Sequence, residues 1–315
     1  MKRTSPTDKL QKKRQAWVER TMAILGVEET AALALLATER RQSIRINPLH
    51  WSKDDTLPDW AGPAYRWLAN GHTLNVPVSD IRNHELVTSG KVFIQNAASW
   101  LPVLALDPQP GDKILDICAA PGGKTSHIAA VTNNQAEIWA NDNSRPRLAK
   151  LRANMARLGA NVAQYTLYDA TQLSRKLAGG QFHKILLDAP CSGEGLMNIN
   201  RDKDLSTWSV AHIKRLQQLQ KRIIMQAWQL LKPGGTLVYS TCTMAPEENE
   251  AVVDYLLRSQ ENATIAPLEF NLPNRVSPIQ GWNGKTYNPD IAGAIRLKPS
   301  PTIEAFFVCA ILKKI

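Results

Sequence analysis

Leu115-Asp-Ile-Cys-Ala-Ala-Pro-Gly-Gly-Lys-Thr125 decides how the chain is read. The run from residue 113 to 118 has the composition of a strand buried on both faces, and a helical run from 124 to 130 begins directly behind two glycines. A strand that turns through small residues into a helix is the first unit of a doubly wound α/β fold, where ligands sit on the turn. Three nucleotide-binding readings compete. A P-loop needs a glycine where Cys118 stands, so Gly123-Lys-Thr125 is only the tail of that motif. A dinucleotide fingerprint needs GxGxxG, which Ala119-Ala-Pro-Gly-Gly123 does not supply. There remains a turn, formed by Cys118, Ala119, Ala120, Pro121, Gly122, Gly123 and Lys124, that lets an adenosyl ligand approach the backbone; S-adenosylmethionine is the expected cofactor.

Outward from this turn, strand-like runs at 136–141, 163–167, 184–188 and 236–240 alternate with helical runs at 144–158, 171–177 and 210–231. Lys232-Pro-Gly-Gly235 reads as the stop signal of the last helix. A helix over 246–259 and a strand over 306–312 follow, and 271–303, rich in Pro, Asn and Gly, is a long excursion. The alternation predicts a mostly parallel sheet. Asp142, at the end of the second strand, can accept both ribose hydroxyls, and Asp169, after the third, can meet the adenine edge. Each is also placed to cap the helix that follows it. Arg147 and Asp188 complete the expected cofactor contacts.

Cys191, in Asp188-Ala-Pro-Cys-Ser-Gly-Glu-Gly195, and Cys242, in Ser240-Thr-Cys-Thr243, each follow an apolar run, so both thiols are expected just past the C-terminal ends of strands. Cysteine is often a core filler, but the polar and glycine-rich surroundings here do not look like core. The four cysteines, Cys118, Cys191, Cys242 and Cys309, are too scattered for a zinc site, and no metal is expected. No signal peptide is visible, which suggests reduced thiols and a cytoplasmic location. No stretch approaches the roughly twenty apolar residues needed to span a bilayer.

The formal net charge of +10 points to a polyanionic partner, nucleic acid first. Lys2, Arg3, Lys9, Lys12, Lys13, Arg14 and Arg20 concentrate that charge at the start, which also reads as a solvated helix face. Residues 8–41 read as two helices broken near Gly26, followed by a β-like stretch at 43–47 and a Trp- and Pro-rich region whose layout does not follow from the pattern. A boundary near residue 85 divides a small N-terminal RNA-binding or accessory region, 1–85, from a catalytic domain, 86–315.

With these pieces in place, the chain resembles the Sun-type (RsmB/RsmF-like) RNA cytosine-5 methyltransferases. The resemblance covers residues 40–313 and rests on Arg45-Ile-Asn47, the stretch from Gly90 through Gln95 with Ser99, Cys118-Ala-Ala-Pro-Gly-Gly-Lys124, the two thiol motifs, Glu247-Glu-Asn249 and Phe306-Phe-Val308. Ala305 stands where the family usually has glycine before the two phenylalanines. The resemblance implies a Rossmann-like class I methyltransferase fold with a seven-stranded sheet, and an RNA substrate, 16S rRNA or else tRNA, free or within a ribosomal particle. It implies a monomer. It assigns the nucleophile to Cys242 and product release to Cys191, with Asp188 and Lys124 at the base or the cofactor.

Overall fold

In the computed structural model, which describes residues 6–177 and 181–315, the strand Lys113–Asp116 lies between two parallel neighbours, Glu137–Asn141 and Phe182–Asp188. Gln164–Thr166 and Leu231–Thr241 continue the sheet in parallel on either side. Phe306–Lys313 then runs antiparallel to Leu231–Thr241, and Ile295–Leu297 antiparallel to Phe306–Lys313. These are the expected seven strands in a Rossmann-like methyltransferase arrangement. Two short antiparallel strands, Ala263–Ala266 and Arg275–Val276, bring the sheet to nine among the described residues. The chain leaves the central strand in one direction and returns on the other side. The resulting switch point lies between Lys113–Asp116 and Phe182–Asp188, where their C-terminal ends open a crevice.

Period-two alternation sends Ile114 to one face and Leu115 to the other, and each is fully buried. Ile114 packs with Ile128, Leu151 and Val238, whereas Leu115 packs with Ile185, Ile224, Leu237 and Val252. Both faces are therefore covered by helices, as a parallel sheet requires. Truncating Leu115 to alanine would cost about 2–5 kcal/mol at such a position.

Three expectations shift in register. The run 171–177 is a 3₁₀ turn, Ala170–Gln172, followed by the short helix Leu173–Lys176, because Asp169 caps the Thr171 amide. Lys232-Pro-Gly-Gly235 does not leave the sheet. It bulges within Leu231–Thr241, whose pairing jumps from Phe182↔Leu231 to Lys184↔Thr236, with Gly234 at φ 77°. The helix expected from 246 begins only at Glu250.

The N-terminal residues form two separate pieces. Helices Pro6–Leu25 and Glu29–Leu36, broken at Gly26 as expected, pack through Trp17, Val18 and Leu36 onto Leu205, Trp208, Ile213 and Met244 of the catalytic part. A four-stranded antiparallel sheet follows, in the order Ala61–Tyr65, Leu68–Leu74, Ser43–Ile46 and Val92–Ile94. A boundary at residue 85 cuts through this sheet, since Ile44 to Ile46 pair with Val92 to Ile94. In the Trp-rich region, Trp67 joins Tyr65 and Trp100, while Trp51 and Trp60 pack against the core of Ile44, Leu74 and Val92. Among the described residues, no helix is long and apolar enough to cross a membrane.

Candidate active site

The glycine turn is shaped by what lies beneath it. Gly122 has φ 106°, and a Cβ there would come within 2.5 Å of Met155 Cε and 2.7 Å of Leu151 Cδ1, so both conformation and space demand glycine. The Ala119 amide donates to the Asn141 carbonyl (2.8 Å), tying the turn to the end of the second strand. Arg147 donates to the Ala120 carbonyl (2.6 Å), and its Nη1 lies 3.3 Å from Asp142 Oδ2.

Asp142 Oδ1 accepts the Ser144 amide (3.0 Å) in a turn just ahead of the helix Arg145–Leu158, whose N-cap Ser144 makes no side-chain cap, so Asp142 does not cap the helix as expected. Its buried Oδ2 accepts no hydrogen bond from the chain. A buried carboxylate oxygen that meets only the Arg147 ion pair and accepts no hydrogen bond suits a ribose diol, so the donor set here fits an adenosyl ligand. Asp169 caps Thr171 through both its amide and its hydroxyl, each at 2.8 Å.

A cavity of about 310 Å³ is lined by Cys118, Ala120, Asp142, Arg147, Asp169, Asp188, Cys191 and Cys242. A second, of about 220 Å³, is lined by Gln95, Asn96, Ser99, Asp116, Ala119, Pro121, Gly123 and Lys124, and shares Cys118, Ala120 and Asp188 with the first. Of the residues expected from sequence, only Gly122 lines neither.

The thiols converge. Cys191 Sγ and Cys242 Sγ are 3.3 Å apart, each partly exposed and neither in a disulfide. Two loops from neighbouring strand ends are held together by their own side chains and by Gln220, Trp208, Glu248 and Asn249. Glu248 accepts from the Ser192 amide (2.9 Å) and hydroxyl, and from Gln220 Nε2 (2.9 Å), which also donates to the Pro190 carbonyl (2.9 Å). The Ser192 and Thr243 hydroxyls meet at 2.8 Å. Glu194 accepts from Thr243 (3.0 Å) and from the Trp208 indole (2.7 Å), and Asn249 donates to the Thr243 carbonyl (3.0 Å). Gly195 donates to the Cys242 carbonyl (2.9 Å), and a Cβ there would fall 2.2 Å from the Ala305 carbonyl oxygen. Glu248 and Asn249 are spent on this bracing, and Glu247 on Arg20 and Trp282. That is why the helix starts late.

Asp188 sits between partners, accepting from Lys124 Nζ (2.6 Å) on one oxygen and from the Ser240 hydroxyl (2.8 Å) on the other. Burial pulls the Lys124 pKa down, but the charge and hydrogen bond of Asp188, with the negative charge at Cys242, outweigh it and raise the pKa. Contact with Cys242, and then burial, push the Cys191 thiol well up. Burial also raises the Cys118 thiol.

Sequence reasoning passed over several residues. Asp116, its Oδ2 accepting from Thr125 (2.7 Å) and its Oδ1 unpartnered, is pushed up to about 7 by burial and lines the second cavity. Its position at the last residue of the central strand was the available signal. Gln220 and Glu194 carry no local signal, because their partners lie far away in sequence. Arg45 and Asn47, cited only within the resemblance, fasten the small sheet to the catalytic part. Arg45 Nη2 donates to Ser126 (2.9 Å), and Asn47 donates to the Gly90 and Leu158 carbonyls (both 2.9 Å).

Fold and site together define a methyltransferase of the Rossmann-like class, with a pair of cysteines beside the adenosyl crevice. The family described as 16S rRNA methyltransferase RsmB/F matches residues 103–312, and the chain belongs to it, among the Sun-type RNA cytosine-5 methyltransferases. It is similar to the tRNA (cytosine(49)-C(5))-methyltransferase of Pyrococcus abyssi, at 42% identity over 277 residues, covering 86% of this chain and 81% of that protein. The ribosomal RNA small subunit methyltransferase F of Serratia proteamaculans is 37% identical over 266 residues, covering 80% of this chain. The chain's match spans only 55% of that relative's length. The crystal structure of a methyltransferase homolog protein from Pyrococcus horikoshii superposes with a TM-score of 0.79 at 31% identity, covering 99% of this chain and all of that one.

Proposed function

We propose that the chain transfers a methyl group from S-adenosylmethionine to carbon 5 of an unpaired cytosine in RNA, through a covalent bond between Cys242 and the base. The observation that carries this reading is the pair of sulfurs, 3.3 Å apart, on a cavity that also holds Asp142 and Asp188.

Carbon 5 of cytosine is a poor nucleophile until a thiolate adds at carbon 6. An ordinary thiol, with a pKa of about 8.5, is only partly ionised at neutral pH. Cys191, pushed up by its neighbour, keeps its proton and offers it as a hydrogen bond to Cys242, the sulfur that attacks. Lys124, held cationic by Asp188, adds positive charge beside that sulfur. Asp188 and Lys124 face the ring's N3 edge and exocyclic amine, where the electron pair pushed in by Cys242 accumulates. Asp142 holds the ribose of the cofactor, Asp169 its adenine edge, and the turn from Cys118 to Lys124, with Arg147, the rest. The bound cofactor supplies the methyl carbon. A base then removes the carbon 5 proton, the ring double bond reforms, and the carbon–sulfur bond breaks. Cys191 donates its hydrogen bond to the departing Cys242 sulfur. The target base reaches this site only when unpaired or flipped.

Within RNA, 16S rRNA, free or within a ribosomal particle, is the first reading, supported by the family description. The second is tRNA, favoured by the 42% identity to the Pyrococcus abyssi relative. The protein is expected to act as a cytoplasmic monomer. Incubation with methyl-labelled cofactor and unmodified small-subunit rRNA, ribosomal particles or tRNA should yield 5-methylcytosine in one of them. No transfer to any overturns the proposal.

A further inference from the structure

Away from the sulfurs, a groove of about 440 Å³ lies beside helices Val210–Leu230 and Glu250–Ser259 and the hairpin of Gly281–Trp282 and Lys285–Thr286. Its two carboxylates are already engaged, Glu247 with Arg20 (2.9 Å) and Asp254 with Arg258 (2.8 Å). Lys214, Lys221 and Lys285 also line it, and among the described residues none of the three forms an ion pair. Lys221 Nζ stands 5.0 Å over the ring of Tyr255, a large aromatic left 39% exposed. Burial, and then the nearness of Lys285, lower the Lys221 pKa against the smaller opposing effect of Asp254, which is itself paired with Arg258.

The groove is continuous with two other features. Arg20, which holds Glu247 and lies 5.5 Å over Trp282, belongs to the N-terminal helix with its run of lysines and arginines. On helix Val210–Leu230, Leu219 and Ile223 line the thiol cavity while Gln218 and Lys221 line the groove. The groove thus lies one helix away from the reacting sulfurs.

We propose that this groove holds unpaired nucleotides of the substrate RNA next to the target cytosine, one base stacked on Tyr255 and phosphates on Lys214, Lys221 and Lys285. An exposed ring with unpaired cations around it suits a single strand, whose bases are free to stack, and not an A-form duplex, whose bases are already stacked. The inference rests on the RNA reading above.

The test measures binding of a labelled oligouridylate of about 12 nucleotides, long enough for one such site, across a range of salt. It compares the full chain with Lys221→Ala/Lys285→Ala and with Tyr255→Ala. The double variant should bind about tenfold more weakly, with its salt slope shallower by about 1.4, the counterions of two lysines on a single strand. Tyr255→Ala should lose about tenfold with the slope unchanged, as the loss of a stacking surface requires. Cofactor affinity should stay at the wild-type value in both. Wild-type affinity and slope in both variants would overturn the proposal, as would equal losses on an RNA duplex or tighter binding of a polyglutamate peptide. Methyl transfer by the unaltered protein is read separately. Oligouridylate binding through the groove without methyl transfer to any RNA would sink the enzyme reading alone.

Discussion

The glycine turn and the paired thiol loops sit on the same crevice but are built in opposite ways. The turn is held through its backbone amide and carbonyls, by Asn141, Arg147 and Asn154, and leaves polar atoms open around it, with Asp116 Oδ1 buried without a hydrogen bond and Asp142 Oδ2 buried with only its ion pair to Arg147. The thiol loops are saturated. Ser192, Thr243, Glu194, Glu248 and Asn249 bond to one another or to Gln220 and Trp208. On the mechanism proposed above, the cofactor half is completed by its ligand, whereas the protein itself fixes the two sulfurs, whose chemistry would need placement to within a fraction of an ångström.

That contrast can be broken first at the sulfurs. Cys242→Ala should reduce turnover by at least about 10⁴-fold, as loss of a covalent nucleophile does. Cys191→Ala should instead accumulate a protein–RNA adduct that survives denaturing gel electrophoresis. Equal, adduct-free loss in both would reverse the roles. Next comes the bracing. Gly195→Ala drives a methyl group into the Ala305 carbonyl, 2.2 Å away, and so pushes the two loops apart. Turnover should fall by about 10²-fold with cofactor affinity preserved, as steady-state kinetics and calorimetry would show.

A third test uses pH. Burial raises Glu248 to about 7, against the pull of its Ser192 and Gln220 donors, from a usual 4.5. Between those two values the folded chain holds a proton that the unfolded chain has released, so stability falls as pH rises from about 4.5 to about 7. Glu248→Gln should flatten that fall by roughly 3 kcal/mol in urea titrations. An unchanged slope would mean that Glu248 is ionised in its clamp. The smallest effect belongs to the open half. Asp142→Asn keeps the acceptor for the Ser144 amide and loses the oxygen left without a hydrogen bond, along with its ion pair to the half-exposed Arg147, so the dissociation constant for S-adenosylmethionine should rise about thirtyfold while the melting temperature stays nearly unchanged.

The same contrast explains what could be read in advance. The turn was legible because its determinants are contiguous, with a buried strand, small residues, two glycines and an aspartate one strand later. The two cysteines stood out by their polar surroundings. Their bracing did not, because Gln220 lies on a helix between the two loops in sequence and Glu194 finds Trp208 only in the folded chain. Residues 246–249 were read as helix because helical pattern there competes with tertiary bonds that only the fold supplies. The strand pairing that runs across residue 85 was hidden for a similar reason. A strand of three residues, Val92–Ile94, gives almost no periodicity to count, yet its ladder decides which unit it joins.

The attachment of the small sheet to the helix Arg145–Leu158 limits how the molecule can be cut. A fragment trimmed to the family-matched span, 103–312, would lose the Asn47 amide from the Leu158 carbonyl, the Val87 carbonyl from Arg157 and the Arg45 guanidinium from Ser126. It would also uncover the core at Trp100. Such a minimal catalytic fragment should emerge insoluble, and any search for the smallest working piece of this protein has to keep residues 43 to 100 in it.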